Sequence, residues 1–240
     1  MYIGLDIGGT NMVAGLTNGA GKIINKVSRP VNKAWDPAEL CRQSAKLAQQ
    51  AAEVGGFAAD QIKAVGLGLP GLVDNKTGYV IQTPNMPFDN TPIREMFQAE
   101  WDVPVYLGND ANCAAIGEYW AGAAKDCDPA VVVTLGTGIG GGLVVGGKLY
   151  TGFAQSGLEV GHMIIRPNGV LCGCGNRGCW EQYGSATALI RIAQEAMERA
   201  LSLEPGQARF LLEYDQLAAR LGVPAAQRLA ALEARPELVA

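Results

Sequence analysis

Three cysteines and a histidine in one short stretch are the residues of this chain best suited to chemistry. Cys172, Cys174 and Cys179 lie in the run CGCGNRGC, and His162, the only histidine, precedes them. A Cys-x-Cys pair, a third Cys a short turn later and an upstream His supply four soft or borderline ligands, a set that suits tetrahedral Zn²⁺. Gly173, Gly175 and Gly178 stand between them and let the backbone fold tightly around an ion. The other cysteines, Cys41, Cys113 and Cys127, are scattered. The cluster therefore reads as a metal site and not as small buried thiols beside a core histidine. Four protein ligands close such a site and leave no position for a catalytic water, so its role is structural.

Two carboxylates bracket this knuckle: Glu159, three residues before His162, and Glu181, two residues after Cys179. Either alone reads as a solvated surface residue. Held by the same metal-pinned loop, the pair can accept hydrogen bonds from several hydroxyls of one polar ligand, and a sugar is such a ligand.

A second kind of chemistry sits in two glycine-rich turns. The opening run IGLDIGGTNMVAGL places Gly8, Gly9, Thr10 and Asn11 between two apolar strands. Backbone N–H groups in such a turn can surround a phosphate, with Thr10 adding a hydroxyl, while Asp6 at its mouth could hold Mg²⁺ through water. Hairpins also use glycine, so one such turn decides nothing. The pattern recurs, however, in VVVTLGTGIGGGLVV, with the turn predicted over 136–142 and Gly136, Thr137 and Gly138 at its start. Two copies of a phosphate-gripping hairpin imply two similar lobes facing a cleft.

The elements that must position these residues follow from pattern. Strands are predicted at Tyr2–Ile7, Met12–Leu16 and Lys22–Val27, and a helix capped by Asp36 runs to Glu53 and stops at Gly55-Gly56. Ile62–Leu69 reads as a strand, Asp74–Gly78 as a hairpin turn and Thr83–Pro87 as a rigid polar loop in which Asn85 offers a donor and an acceptor. Thr91-Pro92 is expected to cap a helix ending at Glu100, and Val103–Leu107 reads as a buried strand. Asn109 and Asp110 then open a helix from Ala111 to Trp120. A carboxylate at a helix start just past a strand's carboxyl end is either a plain N-cap or a ligand-facing group, and spacing leaves both readings open. From Ser185 onward the chain is rich in alanine and leucine, with helices expected over 186–201, 207–221 and 225–234.

At 240 residues, with 48% hydrophobic and 18% charged residues, the chain has ample material for a core. A net charge of −4 carries no nucleic-acid footprint. No apolar run is long enough for a bilayer, and Met1 leads directly into a strand without a basic leader. A cytoplasmic, reducing location is expected, which suits cysteines used as ligands.

Taken in order, LDIGGTN at 5–11, GLPG at 68–71, TPN at 83–85, GND at 108–110, LGTGIGGG at 135–142, EVGHM at 159–163 and CGCGNRGCWEQYGS at 172–185 resemble the ROK sugar kinases. The resemblance covers roughly the first 190 residues, and the cysteine block is its most specific part. It implies an α/β, two-lobed actin/hexokinase-type (ribonuclease H-like) fold with a structural zinc loop. The N-terminal lobe is expected over 1–109 and the C-terminal lobe over 110–240. It implies transfer of the γ-phosphoryl of ATP to a hexose hydroxyl, with Mg²⁺ and structural Zn²⁺ as cofactors. Overall similarity favours glucose over N-acetylmannosamine, N-acetylglucosamine or fructose, and homodimers are common in the family. Carried over by position, Asp110 resembles the general base on the sugar's 6-hydroxyl. Asn85, Asn109, Asp110, Glu159, His162 and Glu181 resemble the sugar-binding set, and His162 also joins Cys172, Cys174 and Cys179 on zinc. Asp6, Gly8, Gly9, Thr10, Asn11, Gly136, Thr137 and Gly138 resemble the nucleotide and Mg²⁺ side.

Many relatives carry Lys where this chain has Asn11, and others have Asn there. Family members usually continue into a further strand ending in Gly-Gly that packs on the adenine, and nothing in 190–240 resembles it. The expectation is an incomplete C-terminal part. A zinc-stabilised sugar-binding protein with little kinase activity is therefore the second reading. A family repressor would need an N-terminal helix-turn-helix, which a strand starting at Met1 does not supply.

Overall fold

The computed structural model describes residues 1–203 apart from 85 and 154, together with 216, 219 and 220. Most of 207–221 and all of 225–234, where two helices are expected, lie outside the described residues. The chain divides into two compact units: Met1–Thr134 with Gly140–Val160, and Leu135–Ile139 with Gly161–Ala240.

The first unit opens with β1 (Tyr2–Ile7), β2 (Asn11–Thr17) and β3 (Ile23–Pro30), then α1 (Pro37–Val54). The alternation is strict in β1, where Ile3, Leu5 and Ile7 are buried and the residues between them are exposed. Helix α1 starts where expected, with the Asp36 carboxylate accepting the Glu39 amide at 2.8 Å. β4 (Ala64–Leu69), β5 (Leu72–Asp74), β6 (Tyr79–Gln82) and β7 (Asp89–Thr91) precede α2 (Ile93–Glu100), β8 (Val105–Asn109) and α3 (Asp110–Ala121). One sheet has the order β3-β2-β1-β4-β8, with β1 parallel to β4, β4 parallel to β8 and the outer hairpins antiparallel. Its apolar face packs with α1 and α2 into a core that includes Leu5, Leu16, Leu47, Leu67 and Phe97. Phe97 is fully buried. Phe97→Ala is expected to cost about 3–5 kcal/mol of stability in denaturant unfolding, from lost transfer energy plus a cavity.

Three local expectations change. Thr91 does not cap α2. Its hydroxyl turns back to donate to the Asp89 carbonyl at 3.1 Å, and the helix start has no side-chain cap. The strand expected over 103–107 begins at Val105, and Tyr106 within it is exposed, because only one face of this sheet meets the core. The second glycine-rich turn is also shorter than the run 136–142. β9 (Ala130–Leu135) and β10 (Ile139–Val145) leave three residues between them, and β11 (Lys148–Tyr150) completes a sheet β11-β10-β9. Gly140 and Gly142 lie within β10, where a Cβ would come up against Ala111 and Ala115 of α3. Their job is close strand–helix packing, which a glycine run does not distinguish from a turn.

The described part of the second unit holds the turn Gly136–Gly138, the cysteine knuckle, α4 (Glu181–Gly184) and α5 (Ala186–Leu203). The Ala186 amide donates to the Gly136 carbonyl at 2.9 Å, which ties the start of α5 to that turn.

Candidate functional site

The first cluster lies in the first unit and is built by strand register. Asp6 on β1 pairs with Gly68 on β4, which in turn pairs with Gly108 on β8. Residues aligned across parallel strands project from one face, so a carboxylate stands beside two positions with no side chain. That gap admits the first turn of α3. A Cβ at Gly68 would lie 3.8 Å from the Asp110 Cα, and one at Gly108 only 2.6 Å from the Cys113 Sγ. Gly68 and Gly108 are the residues that sequence reasoning passed over as bare motif letters; isolated glycines within apolar strands were the available signal.

The two readings of Asp110 are separated by its neighbour. Asn109 is the N-cap of α3, its side-chain oxygen accepting the Asn112 amide at 3.1 Å and its side-chain nitrogen donating to the Gly71 carbonyl at 3.1 Å. Asp110 is the first helical residue and is relieved of capping. Burial of its carboxyl raises its pKa above the ordinary value, against hydrogen bonds that lower it, chief among them the Ala111 amide at 2.8 Å. Asp6 is raised too, although its residue is exposed, by partial desolvation of its carboxyl first and then by the charge of Asp110. Burial pushes the Cys113 thiol up to about 11, and the same two carboxylates add to it. Asp6 and Asp110 are thus within electrostatic reach of one another. The hairpin that follows Asp6 is closed by the Gly8 amide on the Asn11 carbonyl at 3.0 Å, and Thr10 is exposed. Asn85 lies outside the described residues. Glu159 belongs to the first unit and is exposed.

The second cluster lies in the second unit. Antiparallel bridges Ile164–Cys179 and Leu171–Arg177 form the base of the knuckle. The Cys172 amide donates to the Asn176 carbonyl at 2.8 Å and the Gly178 amide to the Val170 carbonyl at 2.8 Å. Gly178 has φ +87°, and a Cβ there would run into the Arg166 carbonyl, so only glycine passes. The ligand atoms of His162, Cys172, Cys174 and Cys179 all lie within 4.8 Å of one another. Cys172 Sγ is 3.6 Å from His162 Nδ1, and Cys174 Sγ is 3.6 Å from Cys179 Sγ. Zinc–ligand bonds of about 2.1 and 2.3 Å give tetrahedral edges of about 3.6–3.8 Å, so the four residues fit the ion.

Glu181, at the start of α4, adjoins this cluster. Its Oε1 accepts from the Cys172 thiol at 2.9 Å and lies 3.6 Å from His162 Nδ1. Its other oxygen faces the glycine turn, since a Cβ at Gly138 would come within 2.8 Å of Oε2. One carboxylate therefore touches both the knuckle and the turn Gly136–Gly138. Burial pushes the Cys172 thiol up to about 12.

The family model described as the ROK family matches residues 2–234. The chain belongs to the ROK family. ROK relatives include the glucokinase of Streptomyces coelicolor, 38% identical over 195 residues, which cover 81% of this chain and 59% of that enzyme. The xylose repressor of Bacillus subtilis is 41% identical over 140 residues, covering 58% of this chain and 36% of the repressor. This ROK chain thus spans less than two thirds of the length of either. Among solved structures, a ROK glucokinase from Streptomyces griseus in complex with glucose and AMPPNP superposes with a TM-score of 0.73 at 34% identity, covering 99% of this chain and 75% of that one. The mixed α/β, hexokinase-type class expected for a ROK protein is the class found.

Proposed function

We propose that this ROK chain phosphorylates a hexose with ATP, with glucose as the first candidate. The observation that carries the reading is Asp110: a carboxyl freed from capping by Asn109, with its pKa raised by partial desolvation, at the start of a helix. A general base works best with a pKa drawn toward the working pH. Asp110 takes the proton of the attacking hydroxyl as its oxygen bonds to the γ-phosphorus of ATP and the bond from that phosphorus to the β–γ bridging oxygen breaks, with ADP leaving. Asp6 would hold Mg²⁺ through water, and the Asp110 charge that adds to the rise of the Asp6 carboxyl suits a nearby cation. The amides of Gly8 and Gly9, Thr10 with Asn11, and the turn Gly136-Thr137-Gly138 would carry the phosphates. Phosphoryl transfer asks mainly for positioning and charge stabilisation, which such turns supply.

Asn85, Asn109, Glu159, His162 and Glu181 are proposed to bind the sugar. Asn109 keeps one lone pair on its side-chain oxygen beyond its bond from the Asn112 amide, while its amide nitrogen serves the Gly71 carbonyl and Asp110. His162, Cys172, Cys174 and Cys179 would hold Zn²⁺, which fixes the loop and keeps its cysteines as thiolates. Cys172 as a thiolate no longer donates to Glu181, whose carboxylate is then open to sugar hydroxyls.

A zinc-stabilised sugar-binding protein without useful turnover is the second reading, favoured by the similarity to a xylose repressor. The test is a coupled assay with ATP, Mg²⁺ and excess glucose. Formation of glucose 6-phosphate is the expected result. No turnover from a chain that still binds glucose by calorimetry would rule out the kinase reading and leave the second.

A further inference from the structure

Within the cysteine knuckle the three thiols are not equivalent. Cys172 is buried and engaged, its hydrogen on Glu181 at 2.9 Å and its sulfur 3.6 Å from His162 Nδ1. Cys174 is exposed, and its sulfur faces that of Cys179 at 3.6 Å across the short loop Gly175-Asn176-Arg177-Gly178. Gly175 and Gly178 both sit at positive φ, +90° and +87°, and bring the ends of that loop together. A disulfide needs the sulfurs at about 2.05 Å, and small side-chain rotations across a loop already closed can supply the difference. Cys172 and Cys174 are separated by a single residue, which leaves little freedom for the same bond.

We propose that Cys174 and Cys179 form a peroxide-sensitive dithiol, a modification site whose oxidation expels the metal ion from the knuckle. The inference rests on the zinc reading above. Hydrogen peroxide reaches the exposed Cys174 first. The sulfur attacks one peroxide oxygen, the O–O bond breaks, and water leaves as Cys174 becomes a sulfenic acid. The Cys179 thiolate then attacks the Cys174 sulfur, forms the S–S bond and displaces the hydroxyl, which leaves as a second water with a proton from solvent. Two zinc-bound thiolates lose two electrons, two protons come from solvent, and one peroxide is reduced to two waters. Two of the four ligands are gone, and His162 with Cys172 alone cannot fill a tetrahedral site. The bond between Cys172 and Glu181 can then re-form and withdraw Glu181 from a sugar. A disulfide reductant with fresh zinc reverses the change.

The experiment starts from reduced full-length chain whose zinc content has been measured, treated with a slight excess of hydrogen peroxide. Released zinc is followed with a chromogenic indicator, and free thiols are alkylated before digestion. Trypsin cuts after Arg177, so a Cys174–Cys179 bond appears as two peptides that a reductant separates. Zinc release in step with that cross-link, and glucose affinity lowered about tenfold or more and restored by reductant plus zinc, is the expected result. A chain that holds zinc and keeps it under peroxide, or that releases it with the cross-link at Cys172 instead, overturns the dithiol and leaves the zinc reading intact. A chain that holds no zinc before peroxide overturns both.

Discussion

Asp110→Asn is expected to lower kcat by about 10²–10⁴-fold, the share usual for a general base, with sugar affinity close to that of the parent. Asparagine keeps an oxygen for the Ala111 amide, so the start of α3 should survive. The same substitution should raise thermal stability at neutral pH. Burial holds the Asp110 pKa above its ordinary value, so the folded chain binds more protons than the unfolded one between the ordinary value and the raised one. Stability is lost as pH rises through that window and the penalty is complete above it. The variant's advantage should therefore be largest at neutral pH and vanish below the ordinary carboxylate range. The opposing signs, turnover lost and stability gained, are the mark of a charge held for function. Parental turnover, or a melting temperature at pH 7 no higher than the parent's, would sink the assignment. In the active chain the acidic limb of the kcat profile should lie above the usual carboxylate range for the same reason.

Removal of zinc is the other large effect. Each chain is expected to carry the ion on His162, Cys172, Cys174 and Cys179, and a chelator should loosen 159–185 and abolish sugar binding. For a site held at a thousandfold its Kd, stripping the ion lowers apparent stability by about 4 kcal/mol. Cys179→Ser should reproduce the loss without a chelator, since Cys179 is fully buried and anchors the bridge to Ile164. Zinc binding should weaken as pH falls, because the thiols must lose protons to bind. The checks are metal analysis, thermal melts and glucose calorimetry. Unchanged glucose affinity in a verified zinc-free chain would contradict the coupling. The contact from Cys172 to Glu181 is the route by which a metal without an open coordination position would govern ligand binding.

None of the helices described is long and apolar enough to cross a membrane.

Much of this was written in local sequence. The alternation of Ile3, Leu5 and Ile7 made β1, Asp36 with Glu39 started α1, and the spacing of one histidine and three cysteines marked a group whose ligand atoms lie within 4.8 Å of one another. These features depend on neighbours a few residues away, or on residues of one kind gathered in one short stretch. The glycine run 136–142 reads as one turn in sequence, yet its second half is strand, because packing room and turning look alike in one letter. Whether Asp110 capped its helix was likewise undecidable, since Asn109 and Asp110 are both good caps, and only the backbone shows which of them stands outside the first turn. The meeting of Asp6 with Asp110, and of Glu181 with both Cys172 and Gly138, came from tertiary structure alone. Asp6 and Asp110, and likewise Gly138 and Glu181, are far apart in the chain, and their approach is set by strand register and by where a helix settles, which no local pattern encodes.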